Sequence, residues 1–228
     1  MWTRWNMPNT LGCIDGKHIE IKKPANSGSL HYNYKGYFSN VLLAVCDADY
    51  KIIYADFGSY GHASDAGVFD RSDFPQALRN GSMNIPTPSS LPGTDTASSF
   101  FFLGDGAFPL LTNAMKPFSG HGLSLERRIF NYRLSRCRRL IENVFGMLAL
   151  KWRFLLSGIE ARPETADWIV KAALCPHNFI LEEHTNYDPR RLADDGDEDN
   201  GTWRSLINNQ LPNISCQVQA PKAGKRQS

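Results

Sequence analysis

An α/β fold is predicted for this sequence, a sheet covered by helices, on three observations. Residues 41–49 (VLLAVCDAD) open on a continuous apolar run, as a strand buried on both faces does. A second apolar run, Phe100–Leu103, stops at Gly104-Asp105-Gly106. The stretch Phe130–Leu156 places Leu134, Ile141, Val144, Phe145 and Leu148 at three- and four-residue steps, the period of a helix with one core-facing side.

The elements follow in order. Residues 1–10 read as an entry loop anchored by Trp2 and Trp5. LGCIDGKHIEIKKP reads as a strand that ends at Pro24, with Asp15-Gly16 inside it; a hairpin turn at that Asp-Gly pair is the alternative. SGSLHYNYKGY (27–37) is polar, Gly- and Tyr-rich, and reads as a loop or exposed hairpin. Strands at 41–49 and 50–58 make a meander with the first. Ser64 or Asp65 is a good N-cap for a helix over Ala66–Leu78, and His62 precedes it, facing either solvent or a cleft. Residues 80–99, rich in Pro, Ser, Thr and Gly, form a long loop. The strand before Asp105 comes next, then the basic helix. A second helix spans Arg162–His184, with Pro163 near its first position and Pro176 placed to kink it. His177 reads as a packed residue rather than a ligand. One domain over 1–186 and an acidic, mobile tail over 187–228 are expected.

Composition limits the function. The 228 residues carry a net charge of +2, but five acids fall within Asp194–Asp199, so the remaining body is basic and suits a polyanionic partner, a solvated charged face being the default alternative. The five cysteines are scattered with no CxxC pair, which suits reduced thiols in an intracellular protein. No signal peptide and no membrane-length apolar run is present. Nor is there an internal repeat, a Walker-type phosphate loop, zinc-ligand spacing or a Ser-His-Asp elbow.

The chemistry-bearing residues are acids. Asp15 and Asp105 fall on strands that can be neighbours, and Glu142 lies on a helix able to cross the sheet beside them. Such acids repel unless a cation sits between them, and Mg²⁺ or Mn²⁺ suits carboxylates and phosphate oxygens. Between Arg127 and Arg153 the chain has eight Lys or Arg and one acid, Glu142. The plain alternative pairs Glu142 with Arg138 and Arg139, its neighbours one turn earlier.

GCIDGKHIEI, KGYFSNVLLAVCDADYKIIYADFGSYGHASDAGVF, FFLGDGAFPL and FNYRLSRCRRLIENVFGMLALKWRFL resemble, in order, blocks of the Harbinger/PIF-type DDE transposases and the domesticated nucleases derived from them. The likeness runs from about Trp5 to His184. It implies an RNase H-like fold, similar to retroviral integrase, with a mixed central sheet flanked by helices. It implies a catalytic, metal-binding triad of Asp15, Asp105 and Glu142, with Mg²⁺ or Mn²⁺ as cofactor. Asp65 and His62 become accessory residues, Asp65 as a polar neighbour or cap. Lys17, His18, Arg133, Arg136, Arg138 and Arg139 become candidate nucleic-acid contacts. The function implied is cleavage of DNA phosphodiester bonds, with strand transfer as an extension, in the nucleus and without membrane attachment. A Myb-like DNA-binding protein is the implied partner, because family members carry an upstream helix-turn-helix-like region and this sequence starts almost at the IDG block; a homo-oligomer stays open. The departures are Gly106-Ala107-Phe108 where the family has Ser-Gly-Tyr or similar, and Pro176 before the His-Asn pair. The alternative functions are a non-cutting remnant that binds DNA or protein, and a phosphatase-like hydrolase acting on small phosphoesters.

Overall fold

The computed structural model describes residues 1–183, 188–194 and 201–210. Its centre is a five-stranded mixed sheet in the order β3-β2-β1-β6-β7. The strands are β1 (Thr10–Glu20), β2 (Ser39–Cys46), β3 (Ile52–Tyr60), β6 (Phe101–Leu103) and β7 (Ala114–Met115). A separate hairpin of β4 (Ser89–Ser90) and β5 (Ala97–Ser98) lies in the expected loop. β1 runs antiparallel to β2 and parallel to β6. The Asp-Gly pair is not a turn, because β1 passes straight through it with Asp15 opposite Ala44 and Gly16 opposite Leu43.

Every residue of β2 is buried, and alternate side chains enter two different cores. Leu42, Ala44 and Cys46 join Cys13, Leu103, Ile141, Val144 and Leu148 on one face. Val41, Leu43 and Val45 join Ile14, Val68, Phe69, Phe74, Phe102 and Phe108 on the other. The first face is covered by helices α4 (Leu125–Lys151) and α6 (Pro163–Glu182), with the short α1 (Trp2–Trp5) and α5 (Phe154–Ser157) packed at its margins. The thiol of Cys13 donates to the Cys137 carbonyl at 3.0 Å, fixing α4 across β1. The second face is covered by α2 (Asp65–Arg71) and α3 (Asp73–Arg79).

The single helix expected over Ala66–Leu78 is thus two. Ser72 is extended (φ −75°, ψ 162°), and its hydroxyl donates to the Phe69 carbonyl at 2.8 Å. Pro75 explains the break: in an unbroken helix its ring would collide with the carbonyl of Arg71, whereas in α3 it occupies the first turn, where no N–H is needed. α6 begins at Pro163 as expected and continues through Pro176. The His177 ring is buried and donates to the Tyr50 carbonyl at 3.0 Å, a packing role. Cys13, Cys46 and Cys137 are buried free thiols and Cys175 is exposed; Cys216 lies outside the described residues.

Part of the stretch read as a mobile tail is folded. A 3₁₀ turn at Pro189–Leu192 and helix α7 (Thr202–Gln210) return onto α4. The Asn143 side-chain oxygen accepts from the Trp203 indole at 2.8 Å and from the Asp194 backbone N–H at 3.2 Å. Asp194 is buried and accepts from Arg204 at 2.8 and 2.7 Å and from the Gly201 N–H at 2.7 Å. Local composition misleads here because Asp194, one of five clustered acids, is neutralised by an arginine ten residues on. Residues 195–200 and 211–228, with most of the acidic run and the basic end, lie outside the described residues.

Gly146 makes this docking specific: a Cβ there would strike the Trp203 indole. Gly146→Ala should undock α7 while sparing the sheet. Overpacking of that kind costs about 1–3 kcal/mol, so amide exchange in 202–207 should quicken by about tenfold, with protection in β1 and β2 unchanged.

Candidate active site

The site forms where β6 stops. Its parallel register with β1 ends at the pair Cys13–Leu103. Asp15 and Asp105 each lie two residues beyond that pair, so the pleat brings them side by side. Asp65 arrives from the other layer at the start of α2. Gly16 admits it, since a Cβ on Gly16 would collide with the Asp65 carboxylate. One carboxylate oxygen each from Asp15, Asp65 and Asp105 lies within 4.8 Å of the others, forming a group of three acids able to hold a metal ion.

Each acid is steadied locally. Asp15 Oδ1 accepts from the Gly16 N–H at 2.9 Å. Asp105 Oδ1 accepts from the Ala107 N–H at 2.8 Å, so Asp105 shapes its turn and faces the other acids at once. Gly104, without a side chain, lets the Phe108 ring tuck beneath that turn. Asp65 is not the helix cap. Ser64 fills that role, its hydroxyl accepting from the Gly67 N–H at 3.2 Å, which frees the Asp65 carboxylate to face Asp15 and Asp105.

The electrostatics follow from crowding. Burial pushes the Asp15 carboxyl up to about 7; Arg138 opposes that rise, and Asp65 and Asp105 add to it. The Arg138 guanidinium stands 3.7 Å from Asp15 Oδ2. Asp65 is raised by burial and then by Asp105, against the charges of Lys35 and Arg138. Burial, followed by Lys35 and Lys17, holds His18 down at about 4, so its ring is neutral at pH 7 and offers a phosphate no charge.

The other expected residues are placed as follows. Glu142 is outside the cluster of three acids. Its carboxylate lies 3.5 Å from Arg204 of α7, a partner far along the chain that the plain alternative does not include. Arg133, Arg136 and Arg139 are half-buried along α4 and Lys17 is half-buried on β1, whereas Arg138 reaches the acids. His62 is remote from the acids in its bonding: its Nδ1 donates to the Leu30 carbonyl at 2.7 Å, tying down the 27–37 loop. Asp65 is the residue for which a local reading was insufficient, since Ser-Asp before a helix signals a cap and only tertiary structure tells which of the two caps.

Residues 14–178 match the family described as the DDE superfamily endonucleases, and the chain belongs to that family. It is 27% identical over 197 residues to "Protein ALP1-like" of Arabidopsis thaliana, covering 84% of this chain and 48% of that one. It is 26% identical over 179 residues to the human protein named "Putative nuclease HARBI1", covering 77% and 47% respectively. The rat protein of the same name is 27% identical over the same coverage. The chain therefore spans about half the length of these curated relatives. No solved structure matches. No described helix is long and apolar enough to cross a membrane.

The crowded acids make stability depend on pH. Asp15 has a higher pKa folded than unfolded, so folding takes up a proton, and its stabilising contribution is complete below about 4 and lost as pH rises through about 7. Without divalent metal, Asp15→Asn should melt several degrees above wild type at pH 8, and the gap should close towards pH 4. Thermal melts across that range check it.

Proposed function

We propose that this chain is the catalytic domain of a divalent-metal-dependent DNA endonuclease of the Harbinger type. The observation that carries it is the convergence of Asp15, Asp65 and Asp105 at the open end of β6, in a chain of the DDE endonuclease family. The sheet order, with β1 central, antiparallel to β2 and parallel to β6, supports an RNase H-like scaffold. The donor set fits Mg²⁺ or Mn²⁺, because it consists of hard carboxylate oxygens from three separate segments with a glycine clearing the space between two of them. A divalent ion held there supplies Lewis acidity and offsets the charge of a phosphate.

The remaining work falls to side chains of the chain itself. Arg138 fixes and partly neutralises Asp15. Lys35 brings positive charge to the Asp65 side. Arg138 and Lys35 together favour a phosphate over a neutral substrate beside the acids. DNA as substrate, strand transfer by a freed 3′-hydroxyl, a Myb-like partner for sequence recognition and a nuclear location all belong to this same proposal. One observation favours the second reading, a binding module that does not cut: the tie between Glu142 and Arg204, which occupies the acid that the Harbinger resemblance assigns as third catalytic residue.

Plasmid nicking with Mn²⁺ or Mg²⁺ separates the two. Asp15→Asn, Asp65→Asn and Asp105→Asn should each lower nicking by about 100-fold or more, and EDTA should abolish it. Glu142→Gln reports whether the fourth acid joins in catalysis. Folded wild type that binds DNA but neither nicks it nor binds Mn²⁺ saturably in calorimetry establishes the binding module instead.

A further inference from the structure

The acidic site leaves the Gly- and Tyr-rich stretch 27–37 unexplained, and its construction is unusual. Four buried polar side chains lie beneath its tip: His31, Asn33, Ser39 and Asn40, at 6, 3, 0 and 2% exposure. His31 Nδ1 donates to Asn40 Oδ1 at 2.6 Å, and Asn33 Nδ2 donates to Ser39 Oγ at 2.8 Å. Asn33 Oδ1 accepts from the N–H groups of Lys35 and Tyr37 at 2.9 and 3.3 Å. The Ser39 N–H donates to the His31 carbonyl at 2.7 Å, and His62 holds the Leu30 carbonyl from the side. Buried polar groups are costly unless fully bonded, and what they give in return is one fixed geometry. Here the geometry fixed is that of an exposed tip.

At that tip Tyr34 is 83% exposed. The His18 ring supports it edge-on, centroids 5.6 Å apart at 74°, and Lys35 Nζ lies 5.5 Å from its centroid. His18 sits on β1 three residues beyond Asp15, and Lys35 is close enough to act on Asp65. An exposed tyrosine, braced by His18 and with the Lys35 ammonium over its ring, suits stacking of a nucleobase once that lysine turns to the phosphate. Inside a duplex a base has no free face, so the ligand this arrangement fits is an unpaired nucleotide.

We propose that Tyr34 is a stacking platform for an unpaired nucleotide of the DNA beside the acidic site, with Lys35 on the adjoining phosphate. The inference rests on the nuclease reading above and specifies its substrate as a junction of paired and unpaired DNA.

The test is fluorescence anisotropy in EDTA, where strands stay intact, with a blunt hairpin duplex and the same duplex bearing a short single-stranded tail. Tyr34→Ala should lose about 5- to 100-fold in affinity for the tailed DNA and stay within about twofold of wild type on the blunt one. Tyr34→Trp should retain tailed binding, and 2-aminopurine in the tail should change fluorescence with wild type and Tyr34→Trp but not with Tyr34→Ala. Because Tyr34 is exposed, the variants should melt with wild type. Equal loss on both DNAs, or no loss on either, overturns the platform while leaving the nuclease reading in place. Preference for a tail of RNA overturns the assignment to DNA. Wild type that binds neither DNA overturns both.

Discussion

Negative charge packed at the end of β6 is the constraint around which the other parts are arranged. Two full charges about 4 Å apart repel by about 4 kcal/mol at the effective dielectric of a protein surface. Three carboxylates at such range therefore persist only with a proton, a cation or neighbouring positive charge to offset them. Arg138 supplies one such charge beside Asp15, and Lys35 supplies another that acts on Asp65. The early stop of β6 leaves room for the group, and the bare Cα of Gly16 lets its members approach.

The scaffold that bears this repulsion is stiff. β1 and β2 share eight consecutive registered pairs, and Cys13 and Ile14, just before Asp15, are buried in the cores on the two faces. Asp105 and Asp65 reach it from a turn and a helix start, both held by short local hydrogen bonds and by Phe69 and Phe108, which meet edge-on 5.5 Å apart under the two segments. Position is set by the core, and charge is tuned at the rim.

Periodicity and apolar runs made β1, β2, β3, β6 and both long helices legible in the sequence, while the two-residue β7 is too short to carry either signal. The two acids that follow buried strand residues, Asp15 and Asp105, were legible for the same reason: a carboxylate directly after or within an apolar strand has few innocent places to go. Asp65 was not, because the N-cap rule assigns a local role to any Ser-Asp pair. Helix period alone hid the break at Ser72, which depends on where Pro75 falls within a turn. The return of α7 was hidden by composition: an acidic stretch reads as solvated until the single arginine that neutralises Asp194 is placed against it in three dimensions. Glu142 shows a related limit, since the sequence points to Arg138 and Arg139 and gives no sign of Arg204, which lies 3.5 Å from its carboxylate.

A glycine within a long helix usually costs about 1 kcal/mol relative to alanine, and Gly146 gives that up to make a notch for Trp203. The family match ends at residue 178, yet the indole in that notch and the guanidinium on Glu142 come from residues 203 and 204. The electrostatic surroundings of Glu142 are consequently inherited with a segment that lies outside the region by which the family is recognised. Two relatives alike in every shared block can hold this glutamate in different company, so divergence in behaviour within the family has a place to arise that comparison of the shared blocks passes over.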